Sequence, residues 1–153
     1  HLPRDATPPT VATTMAALAV LSFAPDADVI AFALGIPYGA PWGHRGAAHS
    51  PVFALLLGAL LGLLVPLGGR PRWQTMLTAS AVIASHGLLD TLTDGGLGIA
   101  LLWPFSHRRI FAPWRPFEVA PIGAGMLSAR GLRILLGETV IFTPLLLYAL
   151  WPR

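Results

Sequence analysis

Four long apolar stretches, separated by turns rich in glycine, proline and arginine, dominate the pattern along this chain. They cover residues 10–24 with a continuation over 29–34, residues 51–67, residues 73–93 and residues 132–151. Each approaches the roughly 20 residues that a helix needs to cross a bilayer. Pro25 would kink the first stretch. The pattern predicts an all-α fold, a polytopic transmembrane helical bundle with about four spans.

The segments between these stretches read as loops and turns. Ser50 followed by Pro51 marks the start of the second stretch, and the Gly68–Arg72 turn marks its end. Residues 35–46 and 104–131 are too rich in glycine or proline for regular helices, and residues 97–103 are too few to span, which suggests a re-entrant or interfacial segment. We expect residues 1–153 to form a single membrane-embedded domain.

Composition supports a membrane protein. The chain is 54% hydrophobic and only 11% charged, with a mean hydropathy of +0.66, whereas soluble domains carry about 25% charged residues. The absence of cysteine excludes disulfides, thiolate metal sites and thiol nucleophiles. All ten basic residues are arginines scattered along the chain. We interpret them as loop anchors and headgroup contacts and expect no nucleic-acid partner.

Ionisable side chains gather where three of the apolar stretches end or begin. Because successive spans alternate in direction, the end of the first, the start of the second and the end of the third meet at one membrane face. The residues at these three places are Asp26, Asp28, His44, His49, His86 and Asp90. Ionisable groups at membrane depth are costly and are seldom kept without a partner or a function.

Two of these places carry carboxylates at spacings that allow metal binding. His86 and Asp90 are four residues apart and therefore share one helix face, where both can bind one cation or where the aspartate can orient the imidazole. An intrahelical hydrogen bond is the alternative. Asp26 and Asp28 can coordinate a divalent cation, or they can simply form a polar turn that ends a helix.

The third place is a tight turn with two histidines, His44 and His49, just before a helix N-terminus. The start of a helix favours anions, so a phosphate or a metal-bound hydroxide could bind there, with Arg45 as a bidentate clamp. The alternative is a solvated interfacial loop whose side chains face headgroups.

These motifs, in this order, resemble those of the YdjM-like family of bacterial inner-membrane proteins, which are described as metal-dependent hydrolases. The resemblance rests on Pro-Asp-x-Asp at 25–28, His-Arg-Gly-x-x-His-Ser at 44–50 and His-x-x-x-Asp at 86–90, followed by Thr93, Gly95 and Pro104-Phe105. Ala48 departs from the threonine that is usual in the family. The resemblance implies a multi-pass protein of the bacterial inner membrane. It also implies a further N-terminal helix with another histidine before His1.

From these residues we predict the following roles. The metal ligands are Asp28, His44, His49, His86 and Asp90. Asp26 and Asp90 are the candidate catalytic bases, and Arg45, Arg108 and Arg109 are the candidate substrate-binding residues. Histidine and aspartate without cysteine suit one or two divalent cations, zinc first and manganese or iron as alternatives.

Two other residues are open to interpretation. Glu138 can be a ligand, a proton relay or the partner of Arg133, and we favour the ion pair. His107 reads as an interfacial residue rather than a ligand.

The predicted function is metal-dependent hydrolysis of an ester or phosphoester in a lipid-like substrate, with membrane lipids as partners. One rival is a transporter or metal carrier, which would need polar residues through the full depth of the bundle. The other rival is a non-catalytic protein in which the metal is a structural staple.

Overall fold

The computed structural model of this chain describes residues 8–65 and 71–150. Within these residues, five α-helices follow one another as α1 Pro8–Ser22, α2 Ile30–Ala33, α3 Pro51–Leu64, α4 Arg72–Asp90 and α5 Ala129–Leu150. The same residues contain three 3₁₀ turns between the helices, Pro25–Val29, Ala47–His49 and Gly123–Leu127. The described residues contain no strand, only two isolated β-bridges, so the predicted all-α class is confirmed there.

Pro25 breaks the first apolar stretch, as predicted. It lacks the N–H that would continue the helix, and the chain passes into the 3₁₀ turn Pro25–Val29 before α2 begins. Among the described residues, no single helix combines the length and hydropathy needed to cross a bilayer. The bent pair Thr13–Ser22 and Pro25–Ala33, with 41° between its halves, meets the test by length and composition. The count of four spans stays a prediction.

Local sequence signals locate the other helices well. The Ser50 hydroxyl accepts a hydrogen bond from the Phe53 backbone N–H at 3.1 Å, which confirms the predicted N-cap of α3. Helices α4 and α5 coincide with the third and fourth apolar stretches to within three residues at each end. Residues 97–103 form turns rather than a helix, with Ile99 bridged to Ile110.

Some predictions fall on residues that lie outside the described ones. These are the end of the second apolar stretch with most of its glycine turn, over residues 66–70, and the last residue of the fourth stretch, residue 151.

Helices α3 and α4 make the most extensive helix–helix contact of the described fold. Gly58 and Gly62 of α3 allow it, because a Cβ atom at either position would overlap a side chain of α4, Ser80 or Met76. Ala79 and Ile83 of α4 are almost completely buried. Small residues at a helix contact let two backbones approach closely, and this approach fixes where the C-terminal end of α4 lies.

We expect Gly58→Ala to destabilise the protein by about 1–3 kcal/mol, because overpacked interiors force neighbouring groups apart. The new Cβ would lie 2.6 Å from the backbone nitrogen of Ser80 and overlap its hydroxyl. Gly137→Ala in α5 is the matched control, since nothing lies within 4 Å of a Cβ there and alanine is the better helix former. Thermal unfolding in detergent measures both, and equal stabilities for the two variants would contradict the close packing.

Candidate metal centre

The most deeply buried run in the described chain is polar. Residues 43–50 are all buried, and they include two histidines and an arginine. Gly43 and Gly46 permit this path, because a Cβ at Gly43 would lie 2.8 Å from the carbonyl carbon of Tyr38 and one at Gly46 would lie 2.6 Å from the Gly43 carbonyl oxygen. Charged groups are almost never fully buried unless they are paired, so the partners of this run define the site.

Asp28 is the first of these partners. Its carboxylate accepts a hydrogen bond from His44 Nδ1 at 2.7 Å and one from the Arg45 backbone N–H at 3.1 Å. His49 Nδ1 lies 3.1 Å from Asp28 Oδ2, the oxygen that also accepts from the Arg45 N–H. The Asp28 side chain is only 6% exposed. Protein donors therefore surround this carboxylate on several sides.

A second group of side chains converges on the other face of His49. Asp26 Oδ1 lies 3.3 Å from both His49 Nε2 and His86 Nε2. Asp90 Oδ2 lies farther away, at 3.6 Å from His49 Nε2 and 3.9 Å from His86 Nε2. One ligand atom from each of these four residues falls within 4.8 Å of the others.

Helix α4 supplies His86 and Asp90 on one face, as their spacing predicts. Gly87 brings this face against residues 35–49, which we call the histidine loop, because a Cβ at that position would lie 3.2 Å from the His49 carbonyl carbon. The six residues predicted to meet do meet, in two groups that share His49. The first group contains Asp26, His49, His86 and Asp90, and the second contains Asp28, His44 and His49.

Three ring nitrogens of this cluster lack hydrogen bonds in the described structure. Both nitrogens of His49 and Nε2 of His86 are buried, and neither ring finds a partner of good hydrogen-bond geometry for them in the described structure. The carboxylates are close enough for ion pairs, but the N–H directions do not point at them. Because buried polar atoms are normally hydrogen-bonded, unpartnered nitrogens beside carboxylates fit a bound cation.

The neighbouring carboxylates change the pKa of His49. Burial lowers its pKa, but the neighbouring carboxylates of Asp26 and Asp28 outweigh burial and raise the pKa from 6.5 to about 9. In the metal-free protein, the carboxylates therefore favour the protonated form of His49. A cation that binds this ring must displace that proton.

Arg45 holds the cluster from the side of Asp90. Its Nε lies 3.2 Å from Asp90 Oδ2, and its Nη1 donates to Thr93 Oγ1 and to the Gly95 carbonyl, both at 2.9 Å. The residue is 5% exposed and adopts a left-handed φ of 62°, which is unfavourable for a side chain with a Cβ. The predicted substrate clamp is thus placed inside the protein, bound to its own acceptors.

Arg109, also predicted to bind substrate, contacts the backbone of the preceding loop, and its substrate role stays a prediction. Its guanidinium donates to the carbonyls of His44, Tyr38 and Ala40 at 3.0, 3.2 and 3.0 Å. It therefore fixes the loop that carries the histidines. Sequence reasoning missed this role, and no local pattern indicates it, because the acceptors are backbone atoms more than 60 positions away.

The remaining candidates lie away from the cluster. His107 and Arg108 are exposed, and neither has a carboxylate partner in the described parts of the chain. Glu138 lines a cavity of about 160 Å³ between α5 and residues 116–118. Arg133 pairs with Glu118 at 2.8 Å. The predicted ion pair of Arg133 with Glu138 is wrong.

The sequence matches a known protein family and a relative of that family. A family described as "YdjM inner membrane protein" matches residues 2–152. The inner membrane protein YbcI of Escherichia coli (strain K12) is 40% identical over 141 residues, which cover 88% of this chain and 80% of YbcI. No solved structure gives a significant match. The chain therefore belongs to the YdjM family of bacterial inner membrane proteins.

Proposed function

We propose that this protein is a metal-dependent hydrolase of the inner membrane that cleaves an ester or phosphoester bond in a lipid-like substrate. The observation that carries the proposal is the set of buried, unpartnered imidazole nitrogens of His49 and His86 beside the carboxylates of Asp26 and Asp90. A divalent cation held there would supply Lewis-acid catalysis and a nucleophile at neutral pH. Location in the inner membrane supports a lipid-like substrate.

Distances divide the roles within the cluster. Asp26 lies nearer to both ring nitrogens than Asp90 does, and Asp90 is also held by Arg45. We therefore assign Asp26, His49 and His86 as ligands, a set of two histidines and one carboxylate that leaves a position open in catalytic zinc sites. Asp90 is not a ligand in this assignment, and we assign it as the general base, held in position by Arg45. This assignment moves Asp26 from the predicted base to a ligand.

Asp28 and His44 act on the cluster through His49. Asp28 already accepts from His44 and from the Arg45 backbone, and it lies beside His49 Nδ1. A carboxylate in this position orients the ring and leaves Nε2 for the cation, as is usual around metal-bound histidines. We accordingly propose one cation per chain, with zinc, manganese or iron all suited to these ligands.

An activity assay with the reconstituted protein tests the proposal. Zinc- or manganese-loaded protein should release product from at least one member of a panel of phospholipids, lipid phosphates and lipid esters, and chelation should stop the reaction. Asp90→Asn should abolish turnover while leaving the bound metal in place. If well-folded, metal-loaded protein yields no product from the panel, the hydrolase proposal fails.

A structural metal staple is the second candidate. The cluster joins three segments that are distant in sequence, the turn at Pro25–Val29, the histidine loop and the end of α4. A cation there would stabilise the fold without catalysis. This candidate expects metal removal to lower the unfolding temperature with no activity to lose.

The apparent affinity for the cation should rise with pH. In the metal-free protein, protonated His49 contributes stability that is complete below pH 6.5 and is lost as pH rises through its folded pKa of about 9. One displaced proton makes metal binding about tenfold weaker for each pH unit below that pKa. Competition with a chromophoric chelator at several pH values measures the slope. His107→Ala is the control and should show the same dependence of metal affinity on pH as the wild type. A wild-type affinity that does not change with pH would contradict the prediction.

A further inference from the structure

Residues 97–117 carry a local excess of positive charge among aromatic side chains. They include three arginines and His107, five aromatic residues and no aspartate or glutamate. Arginines occur along the whole chain, and three of the ten lie in this segment. Aromatic and arginine side chains together are typical of the membrane–water interface.

The fold fixes this segment beside the candidate metal centre. The N–H groups of Ala112 and Phe117 donate to the carbonyls of Thr91 and Leu92, directly after the end of α4. The Ala100 N–H donates to the Arg45 carbonyl at 3.1 Å. Trp103 packs edge-on against Trp42 of the histidine loop, with 5.3 Å between ring centroids. The segment and the histidine loop therefore form one rim next to the cluster.

Much of this rim is open to the surroundings. Phe105 is 88% exposed, Trp114 is 72% exposed and Trp42 is 55% exposed. Arg108 and Arg115 are exposed as well. We call the exposed side chains of this region the basic rim: Trp42, Phe105, His107, Arg108, Trp114 and Arg115.

The charges of the basic rim are not neutralised within the described protein. Neither Arg108 nor Arg115 has a carboxylate partner there, and the Arg115 guanidinium lies 4.8 Å above the Phe111 ring. Arg130 and Arg133 differ, because both pair with Glu118. Two arginines of the rim are therefore available to an external anion.

We propose that the basic rim docks onto the headgroups of anionic phospholipids in the membrane that holds this protein. Guanidinium groups bind phosphate through paired hydrogen bonds, and exposed tryptophan and phenylalanine side chains enter the interface beside them. This docking would hold the metal cluster at headgroup depth. The rim residues are not among the metal ligands or the base assigned above, and Arg108 is shared only with the candidate substrate-binding residues, so the docking and the hydrolysis can fail separately.

Native mass spectrometry of the protein in neutral detergent, offered equal amounts of phosphatidylglycerol and phosphatidylcholine, tests the proposal. Phosphatidylglycerol should be retained about 25-fold more, and each of Arg108→Ala and Arg115→Ala should reduce that preference by about fivefold, the effect of about 1 kcal/mol per arginine. Arg72→Ala, an exposed arginine at the start of α4, is the matched control and should not change it. His86→Ala should also keep the preference.

Several outcomes would overturn the docking. These are equal retention of the two lipids, an Arg72→Ala effect as large as that of the rim arginines, or loss of the preference in His86→Ala, which would place the lipid at the metal cluster. Should the rim variants fail to fold, wild-type binding of brominated phosphatidylglycerol, followed by tryptophan quenching, decides the matter. Quenching should fall when NaCl rises from about 0.05 to about 0.5 M, because salt screens exposed charges; salt-independent quenching would also overturn it.

Discussion

Gently purified protein is expected to contain one divalent cation per chain, and His86→Ala to contain less than about a tenth of that. The substitution removes one of the three nitrogen or oxygen ligands that we assign, and loss of an orienting neighbour alone often weakens metal binding 10–100-fold. Asp28→Asn should weaken metal binding about 10–100-fold, because the Asp28 carboxylate lies at Nδ1 of His49 and not at the ligand nitrogen. Elemental analysis and metal titration measure both effects.

Asp94→Asn is the matched control for these variants. Asp94 lies four residues beyond Asp90, and its carboxylate accepts a hydrogen bond from the Val119 N–H, away from the cluster. It should bind metal like the wild type. Two cations per chain would instead make Asp28, His44 and His49 a second site. Less than about 0.2 cation per chain, with no uptake of added zinc or manganese, would refute a metal centre built on unpartnered nitrogens.

The convergence of the six His and Asp residues could be predicted from the alternating direction of successive apolar stretches, and two local signals place the residues on those stretches. The i, i+4 spacing of His86 and Asp90 fixes them on one helix face, and the proline and serine signals locate the helix ends that carry the other four. The division of roles could not be predicted. Asp26 and Asp28 sit in a 3₁₀ turn, where three residues complete a turn and positions two apart point in different directions.

The roles of the arginines lay beyond sequence reasoning, because they depend on backbone geometry in loops. The carbonyls bound by Arg109 are brought together by the turns at residues 38–46. Arg133 and Glu138 are five residues apart, a spacing that does not place side chains together on a helix. The actual partner of Arg133, Glu118, comes from the long loop before α5. Helix positions were predictable from apolar runs, whereas these contacts required the fold.

The final prediction concerns Arg45. Arg45→Ala should destabilise the metal-free protein by about 3–5 kcal/mol, because removing one partner of a buried ion pair leaves the other charge buried and uncompensated. The Arg45 and Asp90 side chains are 5% and 19% exposed. Arg130→Ala is the matched control, since Arg130 pairs with Glu118 at the surface, and surface pairs are worth about 1 kcal/mol or less. Chemical unfolding in detergent measures both variants.

Arg45→Lys separates charge from shape. Lysine keeps the positive charge but lacks the planar fork that contacts Asp90, Thr93 and the Gly95 carbonyl together. It should recover only part of the stability that alanine loses. If Arg45 is the substrate clamp predicted from sequence, the result should differ. The Arg45→Ala protein should then be as stable as the Arg130→Ala control and keep its normal metal content, and only its KM should rise. That result would show that Arg45 faces the substrate, and that its place beside Asp90 does not hold the candidate base in position.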